Sequence, residues 1–327
     1  MSSGFAALSS QEQIDSLMPL VQEIIDGYNL GECTTESINH EYNSTFKVRC
    51  ANGKLFALRV NVNSGRNLEQ LNAELFFVNH LLSHSNLTLP RPVLNAAGSA
   101  VSTVFHEHLN KDLHAVLFTW LKGTEPGDEP SVEQAYAAGR VLAQLHLATD
   151  GLPLAALTSL EVLDQPLWGT PDLISNSGFA TPQQRQLLTR MLERISLVLE
   201  ELYVGNAPQL IHADVHPWNL MWHEGQMAVF DFDDCAIGLD VQDLAVTMYY
   251  LDEKPLIKAM LKGYQSLRAL PQVADSVYET LLLQRRLYLL NYLHETTNPE
   301  HREMIPKYLL ETVRRIEVYF AKEESQG

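Results

Sequence analysis

The chain has 327 residues, 46% of them hydrophobic, which is enough for a sizeable core and roughly two domains and excludes a disordered chain. Forty acidic against 23 basic residues leave a formal net charge of −17 with no basic run, which speaks against nucleic acid or an anionic membrane as partner. Cys33, Cys50 and Cys235 are odd in number and lack a Cys-x-x-Cys pair, which fits a reducing cytoplasm and argues against a disulfide framework or a thiolate zinc site; no signal-peptide pattern and no apolar run of membrane-spanning length is present.

Ser10 followed by Gln13 reads as a capping box, and Ile14, Leu17, Val21, Ile24 and Ile25 then keep a helical period that Gly27 ends. From residue 36 to 62 the pattern becomes strand-like. Runs at 45–50 and 54–60 flank Ala51, Asn52 and Gly53, a hairpin signal. Apolar residues at 68, 71, 75, 78 and 82 predict an amphipathic helix, stopped by Pro90 and Pro92, and residues 93–121 read as two or three further strands. The turn-rich stretch 122–130 marks a boundary between an N-terminal part, 1–121, whose first 30 residues carry the opening helix, and a C-terminal part, 122–327. Beyond it a capping box at Ser131 and Gln134 opens a helix to about Ala148, a second helix covers 183–203, a small hairpin turns at 223–226, and everything from 241 to 322 is helical. The fold class is α+β: an antiparallel sheet with one inserted helix, then a larger and mainly helical part.

Residues 212–234 concentrate the chemistry. Phosphoryl transfer needs oxygen ligands for magnesium, a carboxylate to accept the proton of the attacking hydroxyl, and groups that hold the phosphates in place. Asp214 supplies a base. Asn219 lies five residues on, past Pro217, so a tight loop returns its amide towards the same point. Asp231 ends the apolar run at 227–230, a suitable place for a metal ligand. On the third strand Ala57 and Arg59 share a face by period two.

The run His212-Ala213-Asp214-Val215-His216-Pro217-Trp218-Asn219, followed by a hairpin and Phe230-Asp231-Phe232-Asp233, resembles the catalytic segment of the aminoglycoside phosphotransferase and choline kinase superfamily, which includes homoserine kinase type II and bacterial stress-response kinases. The common family form is His-Gly-Asp-Leu-His-Pro-Gly-Asn, so Ala213 and Trp218 replace two glycines and Val215 a leucine. The resemblance covers about residues 35–295 and implies a two-lobed protein-kinase-like fold, ATP and Mg2+ as cofactors, and a hydroxyl acceptor. It makes Asp214 the catalytic base, His212 a loop brace, and Asn219 and Asp231 the magnesium ligands. Ala57 lines the base pocket, Arg59 stands where the family carries a phosphate-binding Lys, and Glu74 stands in the place of its ion-pair partner, with Glu69 of the same helix left open beside it. Glu41-Tyr42-Asn43-Ser44-Thr45-Phe46 stands for the phosphate loop, with Ser44 and Thr45 as contacts. Residues 118–121 are the adenine hinge, Trp120 within it a core residue. His146 takes a packing and hydrogen-bonding role, Asp240 and Asp243 are structural, and Asp233 and Asp234 are solvated or capping, with assistance to the metal by one of them as the alternative. Arg285, Arg286 or Tyr288 faces the acceptor.

The motifs leave the acceptor open among amino alcohols, amino acids, sugars, aminoglycosides and protein Ser/Thr. The acidic balance favours a cationic one. Two other readings stand beside the kinase: a metal-dependent hydrolase built on His212, Asp214 and His216, and a catalytically weak nucleotide-binding module suggested by Arg59.

Overall fold

A computed structural model describes residue 5 and residues 8–40, 42–296 and 298–326. The chain divides into two compact units, one running to Ser83 and taking in Thr88–Lys122, the other holding His84–Leu87 and everything from Gly123 onward.

The first unit opens with α1 (Ser10–Asp26), ended by Gly27. Its capping box is Ser9 with Glu12, one residue earlier than the sequence suggests: Ser9 is extended, so Ser10 is already inside the helix. Gln13 instead reaches back to the carbonyls of Phe5 and Leu8. Five strands follow in the order β1-β2-β3-β5-β4, every pairing antiparallel: β1 (Cys33–His40), β2 (Ser44–Cys50), β3 (Leu55–Val60), β4 (Val101–His106) and β5 (Lys111–Thr119). Gly53 turns the β2–β3 hairpin at φ 81°. The helix α2 (Leu68–His84) is inserted between β3 and β4.

Period-two alternation divides the sheet into two faces. Phe46, Val48, Leu58, Val60, Leu113 and Leu117 pack against Leu17, Val21 and Ile24 of α1. Val116 and Phe118 point the other way, onto Leu71 and Leu75 of α2. Each such side chain contributes on the order of 1.5–3 kcal/mol through burial. Cys33 and Cys50 stand opposite each other on β1 and β2, Cα atoms 4.1 Å apart, and are joined by a disulfide, with Cys235 the free thiol. This corrects the reading of the cysteines: a single cross-strand pair needs only opposed register, and leaves an odd residue over.

The second unit is mainly helical: α3 (Val132–Thr149), α4 (Pro182–Gly205), α5 (Asp240–Leu251), α6 (Lys254–Gln265), α7 (Asp275–Glu295), α8 (Pro299–Glu303) and α9 (Ile305–Gln326). The predicted hairpin forms as β7 (Leu220–His223) and β8 (Gln226–Val229), and a second ladder, which the sequence pattern did not suggest, pairs β6 (Gln209–Ile211) with β9 (Ala236–Gly238). Helices α3 and α6 touch through their backbones at two glycines. A Cβ on Gly139 would stand 1.8 Å from the Met260 carbonyl oxygen, and one on Gly263 1.9 Å from that of Tyr136. No described helix is long and apolar enough to cross a membrane.

Candidate active site

The loop between β6 and β7 carries Asp214, and a buried carboxylate holds it from behind. Asp243, fully buried in the first turn of α5, accepts the backbone N–H of His212 at 3.2 Å and that of Ala213 at 2.9 Å. The same carboxylate meets His146 Nε2 at 3.0 Å, and His146 Nδ1 meets the Tyr264 hydroxyl at 2.9 Å. Asp243 and His146 are therefore structural, as the sequence suggests. Ala213 adopts φ +64°, a conformation glycine takes without strain, which accounts for the glycine of the common motif at this place. Trp218 has no such backbone requirement; it is half-exposed beside His216 and Tyr250.

His212 is buried inside the loop. Its Nδ1 accepts the Asp214 N–H at 3.3 Å and its Nε2 donates to the Phe230 carbonyl at 3.1 Å, a pairing that selects the neutral ring protonated at Nε2. Burial pushes its pKa below the ordinary value, against the pull of Asp243 and Asp214. With both nitrogens committed, His212 leaves the His-Asp-His metal set, which counts against the hydrolase reading.

Asp214 projects from this brace with 16% of its side chain exposed. Oδ2 accepts from Asn219 Nδ2 at 3.1 Å and lies 3.2 Å from His216 Nε2. Oδ1 accepts from Arg285 Nη2 on α7. Burial raises the Asp214 pKa, but Arg285 and His216 outweigh it and hold the carboxyl below its ordinary range. Arg285 also donates to the Tyr250 hydroxyl at 2.8 Å, and burial lifts the pKa of that phenol to about 12. Arg286, next in sequence, faces elsewhere, bonding Thr312, Tyr249 and the Tyr308 carbonyl.

Asn219 also donates to the Asp214 carbonyl at 3.0 Å, leaving its amide oxygen for another partner. The β7–β8 register sets Leu220 against Val229, and the Phe230 N–H meets the Asn219 carbonyl at 3.1 Å, so Asn219 and Asp231 lie at the same end of the hairpin. Asp231 is exposed at φ +60°. An amide oxygen and a carboxylate are the hard donors magnesium prefers.

In the first unit, Thr45 opposes Arg59 and Lys47 opposes Ala57, so these four residues share one face of the β2–β3 ladder. Arg59 Nη2 meets Glu74 of α2 at 2.6 Å, with Glu74 1% exposed, which separates Glu74 from Glu69 as the partner. Ser44 lies fully buried on the opposite face, its hydroxyl 2.7 Å from His40 Nδ1, away from the place assigned to it as a phosphate contact. Trp120 is half-buried rather than core, with the Lys47 ammonium 4.7 Å from its ring centre. Glu41 lies outside the described residues. Sequence reasoning missed Lys47, although its place two residues after Thr45 was a usable signal. It also missed Trp168 and Tyr250, which no local pattern announces.

A five-stranded antiparallel sheet interrupted by one helix, a larger helical unit and this braced loop are the fold of protein-kinase-like phosphotransferases. A microcompartment-associated aminopropanol kinase of known structure superposes with a TM-score of 0.74 at 22% identity, over 93% of this chain and 98% of that one. An amicoumacin kinase solved with AMP-PNP, Ca2+ and Ami gives a TM-score of 0.70 at 16% identity, over 91% and 93%. Homoserine kinase of Xanthobacter autotrophicus is 24% identical over 331 residues, covering 94% of this chain and 95% of that protein. The family model of the phosphotransferase enzyme family matches residues 35–275, and the chain belongs to that family.

Proposed function

We propose that this enzyme transfers the γ-phosphate of ATP to a hydroxyl of a small molecule, in the cytoplasm where ATP is supplied. The observation that carries the reading is the Asp214 carboxylate, held on a loop whose backbone, ring and amide partners fix its position while part of it stays open to solvent. In the reaction the acceptor oxygen bonds to the γ-phosphorus and the bond from that phosphorus to the β–γ bridging oxygen breaks. ADP leaves, and the hydroxyl proton passes to Asp214.

Asn219 and Asp231 would hold Mg2+, which neutralises charge on the phosphate oxygens when bound. Arg59, steered by Glu74, takes the place of the family's Lys on the phosphates; its guanidinium is permanently charged and can grip two oxygens at once. Ala57 gives the base a smooth wall. With the Ser44 hydroxyl bonded to His40, the phosphate contact passes to Thr45 and Lys47, which share the Arg59 face. A small-molecule acceptor is preferred to a protein because the relatives are named for small molecules: homoserine, aminopropanol and amicoumacin.

The test is ADP release from Mg-ATP against a panel of amino acids, amino alcohols, sugars and aminoglycosides, with Asp214→Asn as control. Acceptor-dependent release that the control loses supports the reading. Release that is the same in both proteins sinks it.

A further inference from the structure

Arg285 is the feature of the second unit that transfer of a phosphate to an unspecified alcohol leaves unexplained. Its side chain is 3% exposed, yet it carries the charge of a guanidinium into the wall beside Asp214. Three aromatic rings enclose it, with centres 5.0 Å (Trp168), 5.3 Å (Tyr250) and 5.4 Å (Tyr288) from the guanidinium carbon. Only Nη2 is used, by Asp214 and Tyr250. Among the described residues Nε and Nη1 have no hydrogen-bond partner, and neither has Nε1 of Trp168. Buried donors are almost always satisfied, so three of them around one cation call for an explanation. Three N–H donors without an acceptor, beside a guanidinium whose ion pair with Asp214 uses only Nη2, complement further anionic oxygens.

The surroundings are built rather than collapsed. Gln284 of α7 donates to the Gln165 carbonyl, and Asn291 of α7 bonds Thr170, Pro171 and Leu173. These contacts tie the segment bearing Trp168 to the helix bearing Arg285. On the Asp214 side the wall is exposed in part, through 16% of that side chain.

We infer that Arg285 anchors a carboxylate of the acceptor through donors that its ion pair with Asp214 leaves unused. The inference rests on the phosphotransfer reading and narrows its substrate to hydroxy acids, with hydroxy amino acids the simplest class. Asp214 must lie against the acceptor hydroxyl, so a group bonded to Asp214 on its other oxygen faces the same small molecule. An arriving carboxylate meets donors that Asp214 leaves unused, the indole N–H of Trp168 among them, while Nη2 stays with Asp214.

The same donors would suit phosphate oxygens of the nucleotide, and the experiment separates the two. The probes are three matched pairs, each a hydroxy amino acid and the amino alcohol left when its carboxylate is removed: L-serine and ethanolamine, L-threonine and 1-aminopropan-2-ol, L-homoserine and 3-aminopropan-1-ol. ADP release from Mg-ATP is measured for each. In the wild type at least one acid should exceed its amino alcohol in kcat/KM by at least about 100-fold, since a site built around a polar group rejects the analogue lacking it. Arg285→Gln should collapse that ratio through the KM of the acid while the KM for Mg-ATP holds. Trp168→Phe keeps the ring but removes the indole donor, and should lower the same ratio several-fold in a folded protein. Turnover of the amino alcohols alone overturns the anchor and leaves the kinase reading standing. So does an Arg285→Gln effect that is equal for both members of a pair or falls on the KM for Mg-ATP, which would assign Arg285 to the phosphates. Absence of ADP release with every probe overturns the anchor, and the kinase reading falls with it only if the sugars and aminoglycosides also fail.

Discussion

Asp243 Oδ1 accepts the backbone N–H of Ala213 at 2.9 Å, so a carboxylate 30 residues away in sequence sets the conformation of the residue before the proposed base. The contact explains how Ala213 holds φ +64° without being glycine: two hydrogen bonds to a buried anion offset a local cost of about 1–2 kcal/mol.

Replacing Asp243 with Ala strands two buried N–H groups and the His146 ring together. Stability should fall by about 3–5 kcal/mol, read as a lower urea midpoint, and kcat should fall with it. Ala213→Gly, in contrast, relieves the left-handed strain at some entropic cost in the unfolded chain, and should leave the midpoint within about 1 kcal/mol of wild type. A protein that tolerates Asp243→Ala as well as it tolerates Ala213→Gly would remove the brace from this account.

Asp214→Asn should cut kcat by about 10²–10⁴-fold or more and leave the KM for Mg-ATP nearly unchanged, because in the proposed reaction the side chain takes the acceptor proton. Asp231→Ala should instead weaken metal-dependent nucleotide binding, measured by titration calorimetry with and without Mg2+. Equal effects of the two changes on nucleotide affinity would contradict the separate roles.

Much of this was legible in the sequence. The spacing from His212 to Asn219 and the hairpin delivering Asp231 are local, and local geometry builds them as expected. The helix after Arg59 offered both Glu69 and Glu74, and only the fold separates them. What could not be read were partnerships across long separations: Arg285 with Asp214, 71 residues apart, and Asp243 with the loop it holds. Periodicity told that the helix around Arg285 is mostly buried, but a buried face does not say which of two adjacent arginines meets the base. The Ser44 hydroxyl was unreadable for a related reason. Strand alternation turned its side chain to the α1 face, where His40 takes the hydroxyl, and only register could reveal that.

Acidification should act in two separate windows. Burial holds His212 neutral with its pKa below 6.5, so the unfolded chain protonates first and His212 costs stability as pH falls below about 6.5. Asp214 titrates below its ordinary 3.8, so its contribution is present above that pH and lost only as pH falls through it. His212→Gln should therefore flatten the fall in Tm between about pH 7 and 5, and Asp214→Asn should not. An unchanged slope in His212→Gln would mean that the ring is already charged in the folded protein.

Gly139→Ala sets two effects of opposite sign against each other. Helix propensity alone would stabilise by about 1 kcal/mol, whereas the new methyl would stand 1.8 Å from the Met260 carbonyl oxygen. The steric term should win and Tm should drop clearly. Gly205→Ala, which meets nothing within 4 Å, should be neutral or stabilising in the same melting experiment.

Gly263 is followed directly by Tyr264, whose hydroxyl supports the His146 ring that in turn meets Asp243. Where two helices touch main chain to main chain, no side chain can rotate to absorb a shift of one against the other. The height of Tyr264, and through it the seat of the Asp243 carboxylate, is therefore set by the α3–α6 contact. In hydrogen-exchange terms the amide of Ala213 has no opening of its own. It should exchange only when the amides of both helices do, as part of one cooperative unit, so that the loop proposed to carry the chemistry lies among the last segments to unfold.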